Sequence, residues 1–163
     1  MKKDAVETAI KMETDAIAFY GEAAEKTSHP FGKEMFRGFV KDEARHLKML
    51  RSIFGGLDID MEFVSPRDTI RTVFSELKDE MMQRVKVMDD EMDALIIALK
   101  MEKEGFDFYK NTALDVPSGK EKELFSRLAE EENDHYLILM ETWNFLNNTG
   151  HWYMYEERGI IEG

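Results

Sequence analysis

The chain has 163 residues, of which 43% are hydrophobic and 34% are charged, and it contains only 3 prolines. This composition is typical of a folded, largely helical protein of a size that one domain can accommodate. The formal net charge of −12 opposes binding to nucleic acid, and the lack of cysteine excludes disulfides, thiolate zinc sites and iron–sulfur clusters.

Apolar residues recur at helical spacing along most of the sequence. They predict helices over about residues 3–26, 30–54, 66–87, 90–113 and 120–146. Pro30 fits the first turn of the second helix, and Gly55 and Gly56 end it. Ser65 and Pro66 are typical of a helix start, so the segment after them is predicted to be a helical crossover. An aromatic tail at 151–155 follows the last helix.

An internal repeat relates the two halves of the chain at a shift of 89 residues. The matching pairs are Lys11-Met12-Glu13 with Lys100-Met101-Glu102, Phe19-Tyr20 with Phe108-Tyr109, Phe36 with Phe125, and Glu43-x-x-His46 with Glu132-x-x-His135. Two helical hairpins related in this way build an all-α four-helix bundle. We therefore predict one domain over residues 1–163, organised as a hairpin (3–54), a crossover (57–89), a second hairpin (90–147) and a C-terminal tail (148–163).

Four glutamates and two histidines fall on the apolar faces of the predicted helices. Glu13, for example, has Ala9, Ala16 and Tyr20 on the same face of the first helix. Burying an isolated carboxylate costs several kcal/mol, roughly, so such a group is protonated, paired or bound to metal. The predicted metal ligands are Glu13, Glu43, His46, Glu102, Glu132 and His135.

The spacing within Glu43-x-x-His46 and Glu132-x-x-His135 favours a site for two metal ions. Residues three apart point to the same side of a helix, so the glutamate can bridge two ions while the histidine binds one. Glu13 would then serve one ion and Glu102 the other. Carboxylates with imidazoles suit iron or manganese. We expect two Fe ions per chain, with Mn or a mixed pair as the alternative.

The remaining candidate ligands have simpler interpretations. His29 lies at a helix start and His151 in the tail, so both are interpreted as turn or surface residues. Glu130 and Glu131 are predicted on solvated or flanking faces, beside the inward Glu132. The 12 methionines are interpreted as core residues.

Four motifs carry a resemblance to a known family. They are Met12-Glu13-x5-Phe19-Tyr20, Asp42-Glu43-x-x-His46, Met101-Glu102-x5-Phe108-Tyr109 and Glu131-Glu132-x-x-His135. Over about residues 3–146 the chain resembles the rubrerythrin-like branch of the ferritin-like di-iron carboxylate superfamily. The resemblance implies a ferritin-like fold, a homodimer, a di-iron site that reacts with H2O2 or O2 under oxidative stress, and hydrogen bonds from Tyr20 and Tyr109 to ligand carboxylates.

Two departures from the family pattern affect the expected function. Full-length rubrerythrins carry a rubredoxin-like iron centre held by four cysteines, which this chain cannot build, so an external redox donor protein is expected. An additional glutamate of those enzymes is replaced here by Gly105, which Ala16 matches in the first half. These small residues leave room for a small exogenous ligand such as peroxide.

We expect an oxidoreductase of rubrerythrin type that reduces hydrogen peroxide or O2. A bacterioferritin-like ferroxidase or iron-handling protein is the alternative, although Ala44 occupies the place of the usual haem-ligating methionine. A hydroxylase would need an apolar pocket beside the metals, and a purely structural protein would leave four inward glutamates unexplained. The N-terminal residues contain no apolar run, and no segment has membrane-spanning length. We therefore expect a cytoplasmic protein with no nucleic-acid or membrane partner.

Overall fold

The computed structural model describes residues 3–56 and 61–154, and the regular secondary structure in these ranges is helical. The helices are α1 (Lys3–Lys26), α2 (Pro30–Phe54), α3 (Pro66–Glu76), α4 (Asp89–Asp115) and α5 (Lys120–Thr149), with a 3₁₀ turn at Lys78–Met81. The predicted all-α, ferritin-like bundle is confirmed. None of the described helices is both long and apolar enough to cross a membrane.

Local signals explain where several helices begin and end. The His29 side chain accepts a hydrogen bond from the backbone N–H of Phe31, and Pro30 occupies the first turn of α2. The Ser65 side chain caps α3 in the same way. Gly150 ends α5 with a φ of 77°, a conformation that glycine adopts without steric cost.

The four long helices form two hairpins that face each other. α1 packs along α2, and α4 packs along α5, whereas α3 connects the hairpins and lies against α2 and α5. This arrangement brings the apolar faces of all four long helices to a common centre.

Two apolar clusters fill the bundle, one toward each end. The first includes Tyr20, Phe31, Phe36, Phe39, Leu95, Ala98 and Leu139. The second includes Val6, Ala9, Leu50, Tyr109, Phe125 and Leu128. Along every long helix, the predicted metal ligands come between residues of one cluster and residues of the other. On α1, for example, Glu13 comes between Ala9 of the second cluster and Ala16 of the first. The bundle therefore contains a polar layer between two apolar cores.

The crossover differs from the prediction of one helix over residues 66–87. α3 ends at Glu76, and an extended segment leads into α4 after the 3₁₀ turn. In that segment the backbone pairs with the C-terminal segment: Val87 N–H donates to the Gly150 carbonyl at 3.1 Å, and Trp152 N–H donates to the Val85 carbonyl at 2.7 Å. These long-range bonds replace those of a continued helix. The part of the crossover at 57–60 lies outside the described residues.

The segment after α5 is built into the core. α5 itself continues to Thr149, past the predicted end at 146. Trp152 and Tyr153 are buried, and they pack with the first apolar cluster. The predicted tail beyond Met154, including Tyr155, lies outside the described residues.

The surface interpretation of His29 and His151 is wrong. His29 does occupy the turn before α2, but it is fully buried and its ring stacks on the Trp152 ring at a centroid distance of 5.3 Å. His151 is only 9% exposed, and its Nε2 lies 3.0 Å from an Arg84 guanidinium nitrogen. Both histidines are buried because the C-terminal segment folds back over the helix ends.

Candidate metal centre

The structure brings all six predicted ligands together in the polar layer. Each long helix supplies at least one of them, and none is more than 5% exposed. They form two groups whose ligand atoms lie within 4.8 Å of one another. The first group is Glu13, Glu43, His46 and Glu132, and the second is Glu43, Glu102, Glu132 and His135. Because Glu43 and Glu132 belong to both groups, the arrangement has the form of two adjacent sites with two shared carboxylates.

Two buried tyrosines donate hydrogen bonds to the carboxylates that are not shared. Tyr20 on α1 donates to Glu102 on α4, and Tyr109 on α4 donates to Glu13 on α1. Each tyrosine therefore bonds to the opposite hairpin. Burial raises the pKa of Tyr20 well above its usual value, and the charge of Glu102 raises it further. Burial and the charge of Glu13 do the same for Tyr109, so both phenols stay protonated and act as donors.

The four carboxylates differ in their proton affinity. Burial raises the pKa of Glu43 well above its usual value, and the neighbouring charge of Glu13 raises it further. Burial also raises the pKa of Glu102, with a further contribution from Glu132. For Glu132 burial acts in the same direction, but contacts with Glu102 and His46 outweigh it and lower the pKa below its usual value. Without a metal, protons must therefore offset part of the negative charge.

The two histidines are surrounded by acidic groups. Burial alone would lower the pKa of His46, but neighbouring carboxylates, Glu13 foremost, raise it well above the usual value. Burial would also lower the pKa of His135, but neighbouring carboxylates, Glu102 foremost, raise it well above the usual value. Both imidazole rings are completely buried. In the absence of a cation these rings carry positive charge that a bound divalent ion would replace.

Two further carboxylates contact the outer nitrogens of the histidines. His135 Nε2 is hydrogen-bonded to an Asp42 oxygen at 2.8 Å, and His46 Nε2 lies 3.2 Å from a Glu131 oxygen, but not in hydrogen-bonding geometry. In each pair the carboxylate and the imidazole come from opposite hairpins. A carboxylate on the outer nitrogen of a histidine orients the ring so that its other nitrogen faces a metal. In both rings that inner nitrogen, Nδ1, points at the carboxylates of the centre.

Arg45 links these two outer carboxylates. Its guanidinium lies 2.5 Å from Glu131 and 3.3 Å from Asp42, and it also donates to the Glu62 carbonyl at 2.7 Å. Burial alone would raise the pKa of Glu131, but His46 and Arg45 outweigh this effect and lower the pKa below its usual value. Arg45 therefore offsets one of the two negative charges on the side away from the centre.

The contacts of Asp42, Glu131 and Arg45 with the histidines and with one another were not predicted from the sequence. Glu130 is exposed as predicted. Of the two positions predicted for Glu131, the solvated one is wrong, because Glu131 is only 4% exposed and flanks the centre beside His46. A signal was available, since Asp42 and Glu131 occupy equivalent positions at the 89-residue shift. Arg45 has no such counterpart, because the equivalent residue is Asp134.

Gly105 lies directly against a shared carboxylate. A Cβ added to Gly105 would lie 3.6 Å from Glu132 Oε2, which is ordinary van der Waals contact. A cavity of about 150 Å³ runs beside Gly105 between α1 and α4 and is lined by Glu13, Glu102 and Glu132. The candidate centre is therefore reached from one side of the bundle.

The residues of the polar layer suit a pair of divalent cations. Four carboxylates and two imidazoles are hard and intermediate ligands of the kind that iron and manganese accept. Glu102 Oε2 is buried without a hydrogen-bond partner among the described residues. Glu43 Oε1 has an imidazole nitrogen at 3.2 Å, but not in hydrogen-bonding geometry. Buried polar atoms without partners are uncommon, and metal binding would satisfy both of them.

Comparison with known proteins gives one match. A family model described as Rubrerythrin matches residues 4–143. Neither the curated proteins nor the solved structures gave a match. The matched range contains all six predicted ligands, both tyrosines and the outer carboxylates.

Proposed function

The chain belongs to the rubrerythrin family of di-iron carboxylate proteins, and on this basis we propose that it is a cytoplasmic oxidoreductase that reduces hydrogen peroxide or O2. Electrons come from an external redox donor protein, because the sequence contains no cysteine for a rubredoxin-like iron centre. The activity removes oxidants during oxidative stress.

The observation that carries this proposal is the pair of overlapping ligand groups. A structural role would not require four buried glutamates, because each costs desolvation energy that an apolar residue would avoid. A single-metal enzyme would not require a second complete group. Two groups that share Glu43 and Glu132 would hold two ions next to each other.

Each residue of the layer has a distinct role in this proposal. Glu13, Glu43, His46, Glu102, Glu132 and His135 would hold two iron ions, which would supply electrons to the oxidant when bound. Tyr20 and Tyr109 keep their phenol protons and fix the orientation of Glu102 and Glu13. Asp42 and Glu131 orient the imidazoles through their outer nitrogens. The apolar cores shield the layer from water at both ends of the bundle, and the cavity beside Gly105 leaves access from one side.

Anaerobic loading with Fe(II), followed by rapid mixing with H2O2 and separately with O2, tests the proposal. Without a reductant the protein should oxidise once and stop. Continuous consumption of H2O2 or O2 should begin when a small redox protein or a chemical donor is added. Sluggish reaction with both oxidants contradicts the proposal. Fast O2 uptake with growth of a mineral core would instead establish the ferroxidase function.

The same proposal includes a homodimer. Support comes from large apolar side chains that α4 exposes in the described chain, since Ile96 is 52% and Ile97 is 49% exposed. Pairing with a second copy would cover such a surface. Size-exclusion chromatography with light scattering should give twice the chain mass of 19.1 kDa. The mass of a many-subunit cage would favour iron storage.

A further inference from the structure

The cavity between α1 and α4 combines carboxylates with apolar surface that the repeat makes symmetric. Met12 and Ala16 line it from α1, and Met101 and Gly105 line it from α4. Met101 is the counterpart of Met12, and Gly105 is the counterpart of Ala16, at the 89-residue shift. The small pair keeps the space open, and the methionine pair supplies flexible, polarisable surface.

The cavity joins two different environments. At its inner end it meets Glu13, Glu102 and Glu132, which belong to the candidate metal centre. At its outer end it is lined by Asp15 and Glu104, both of which are exposed. A molecule in the cavity would therefore have one end at the metal ligands and the other toward solvent.

The cavity is larger than a molecule of hydrogen peroxide requires. Its volume is about 150 Å³, whereas one water molecule occupies roughly 30 Å³ in the liquid. An apolar cavity of about 150 Å³ is large enough to bind benzene. The space beside the centre is thus sufficient for a small alkyl group in addition to a peroxide group.

From this geometry we propose that the protein accepts small, neutral alkyl hydroperoxides as substrates. The alkyl group lies between Met12 and Met101, and the hydroperoxide group reaches the carboxylate end of the cavity. This inference rests on the proposed function, because it names a substrate class for the same site.

The charge at the mouth selects against anionic hydroperoxides. This charge comes from the Glu104 carboxylate at the rim, since Lys11 offsets the charge of Asp15 at 2.7 Å. A hydroperoxide that carries a carboxylate, such as one derived from a fatty acid, would be repelled and is too long for the space.

The reaction balances with the donor already proposed. The O–O bond of ROOH breaks, two electrons from the external redox donor protein and two protons are taken up, and ROH and H2O are released. The hydroperoxide is reduced and the donor is oxidised. No additional reactant is needed.

Binding is tested without any redox chemistry. The protein is labelled with [methyl-¹³C]methionine, loaded with Zn²⁺ and titrated with tert-butanol, which is the alcohol product of tert-butyl hydroperoxide. The methyl signals of Met12 and Met101, assigned by single Met→Leu variants, should shift and saturate. Met82 and Met88, which are 48% and 56% exposed and lie outside the cavity, serve as controls. Equal, non-saturating shifts of all four signals would overturn the proposal.

Turnover provides the second test. With a chemical donor present, the iron-loaded protein should consume tert-butyl hydroperoxide as well as H2O2. Gly105→Leu, which fills the cavity, should lower the rate with tert-butyl hydroperoxide roughly tenfold more than the rate with H2O2. Gly21→Leu is the matched control, because nothing lies within 4 Å of a Cβ at that helical glycine.

The two proposals fail in distinguishable ways. Turnover of H2O2 without turnover of tert-butyl hydroperoxide would overturn the alkyl hydroperoxide inference and leave the proposed function intact. Failure with both oxidants would overturn both. Equal rate losses for both oxidants in Gly105→Leu would also overturn the inference, since the cavity would then not discriminate between them.

Discussion

Glu43 and Glu132 belong to both ligand groups of the polar layer, whereas the other four ligands belong to one group each. This difference between individual carboxylates has a measurable consequence. Removal of a shared ligand affects both proposed ions, while removal of an unshared ligand affects one. The side-chain positions therefore rank the ligands by their expected effect on metal content.

The Glu43→Ala variant should bind much less than about one iron per chain, whereas the Glu13→Ala variant should retain about one of the two proposed ions. The reason is that Glu43 contributes to both groups and Glu13 to one. Anaerobic loading with Fe(II), removal of free metal and elemental analysis give the ratio. Glu130→Ala is the control, because Glu130 is exposed and close in sequence to the ligand Glu132. Equal metal contents in all three variants would contradict the ranking.

His29 makes the folded protein sensitive to mild acid. Burial lowers its pKa from 6.5 to about 4, although Glu91 and the Tyr153 backbone act to raise the pKa. The unfolded chain takes up this proton below a pH of about 6.5, whereas the folded protein takes it up only below about 4. The contribution of His29 to stability is therefore complete above pH 6.5 and declines as the pH falls to 4.

His29→Asn removes the titrating group but keeps a residue that caps helices. Between pH 7 and pH 4 the free energy of unfolding of the wild type should fall by about 2 to 3 kcal/mol more than that of the variant. Urea denaturation at several pH values measures the difference, and acid effects at the metal centre cancel because both proteins share them. Parallel pH profiles would show that His29 does not titrate in this way.

At the scale of the elements, the C-terminal segment is attached to the bundle by polar and apolar contacts. Glu91, in the first turn of α4, is only 5% exposed and accepts hydrogen bonds from Ser28, Met88 and Trp152. The Trp152 ring then lies against the start of α2, where Gly32 leaves space for it. One buried carboxylate thus connects the turn between α1 and α2, the start of α4 and the C-terminal segment.

Gly32→Ala should destabilise the protein by about 1 to 3 kcal/mol, because the new Cβ would lie 2.6 Å from Thr27 Cγ2 and 2.7 Å from Trp152 Cη2. Gly38→Ala, on the same helix, should instead stabilise it by up to about 1 kcal/mol, since nothing lies within 4 Å of that position. Chemical denaturation of both variants gives the comparison. Similar effects at the two glycines would show that the close packing at Gly32 is not limiting.

The sequence was sufficient to predict the elements that depend on local pattern. Periodicity, Pro30 and the paired glycines placed α1 and α2, and the repeat identified the inward glutamates. The early end of the crossover helix at Glu76 could not be predicted, because Val85 and Val87 form backbone hydrogen bonds with the C-terminal segment, which is far away in the sequence. Periodicity describes one helix at a time and contains no information about such pairing. The metal-binding role of the six ligands and the single-domain organisation stay predictions.

For the whole molecule, the polar layer separates two apolar cores that would otherwise form one. The layer contains four carboxylates and two imidazoles, so its electrostatic balance depends on a cation or on protons. Stability of the whole bundle is therefore linked to metal occupancy.

Removal of metal should lower the melting temperature, and Glu13→Gln combined with Glu102→Gln should raise that of the metal-free protein by about 3 °C or more. The double variant leaves two carboxylates opposite two imidazoles, and the glutamine oxygens can still accept the hydrogen bonds of Tyr20 and Tyr109. It should also lose metal binding. Calorimetry with and without metal measures both effects. Identical melting temperatures for the loaded and metal-free wild type would contradict the linkage.

The exchanged hydrogen bonds of the two tyrosines bear on how this chain arose. Tyr20 bonds to a glutamate of the second hairpin, and Tyr109 bonds to a glutamate of the first. A lone hairpin would leave both partners unsatisfied, but two identical hairpins related by a twofold axis would satisfy them reciprocally. This is the contact pattern of a homodimer of half-length chains. Duplication and fusion of a gene that encoded one hairpin would produce this combination of a sequence repeat and exchanged contacts.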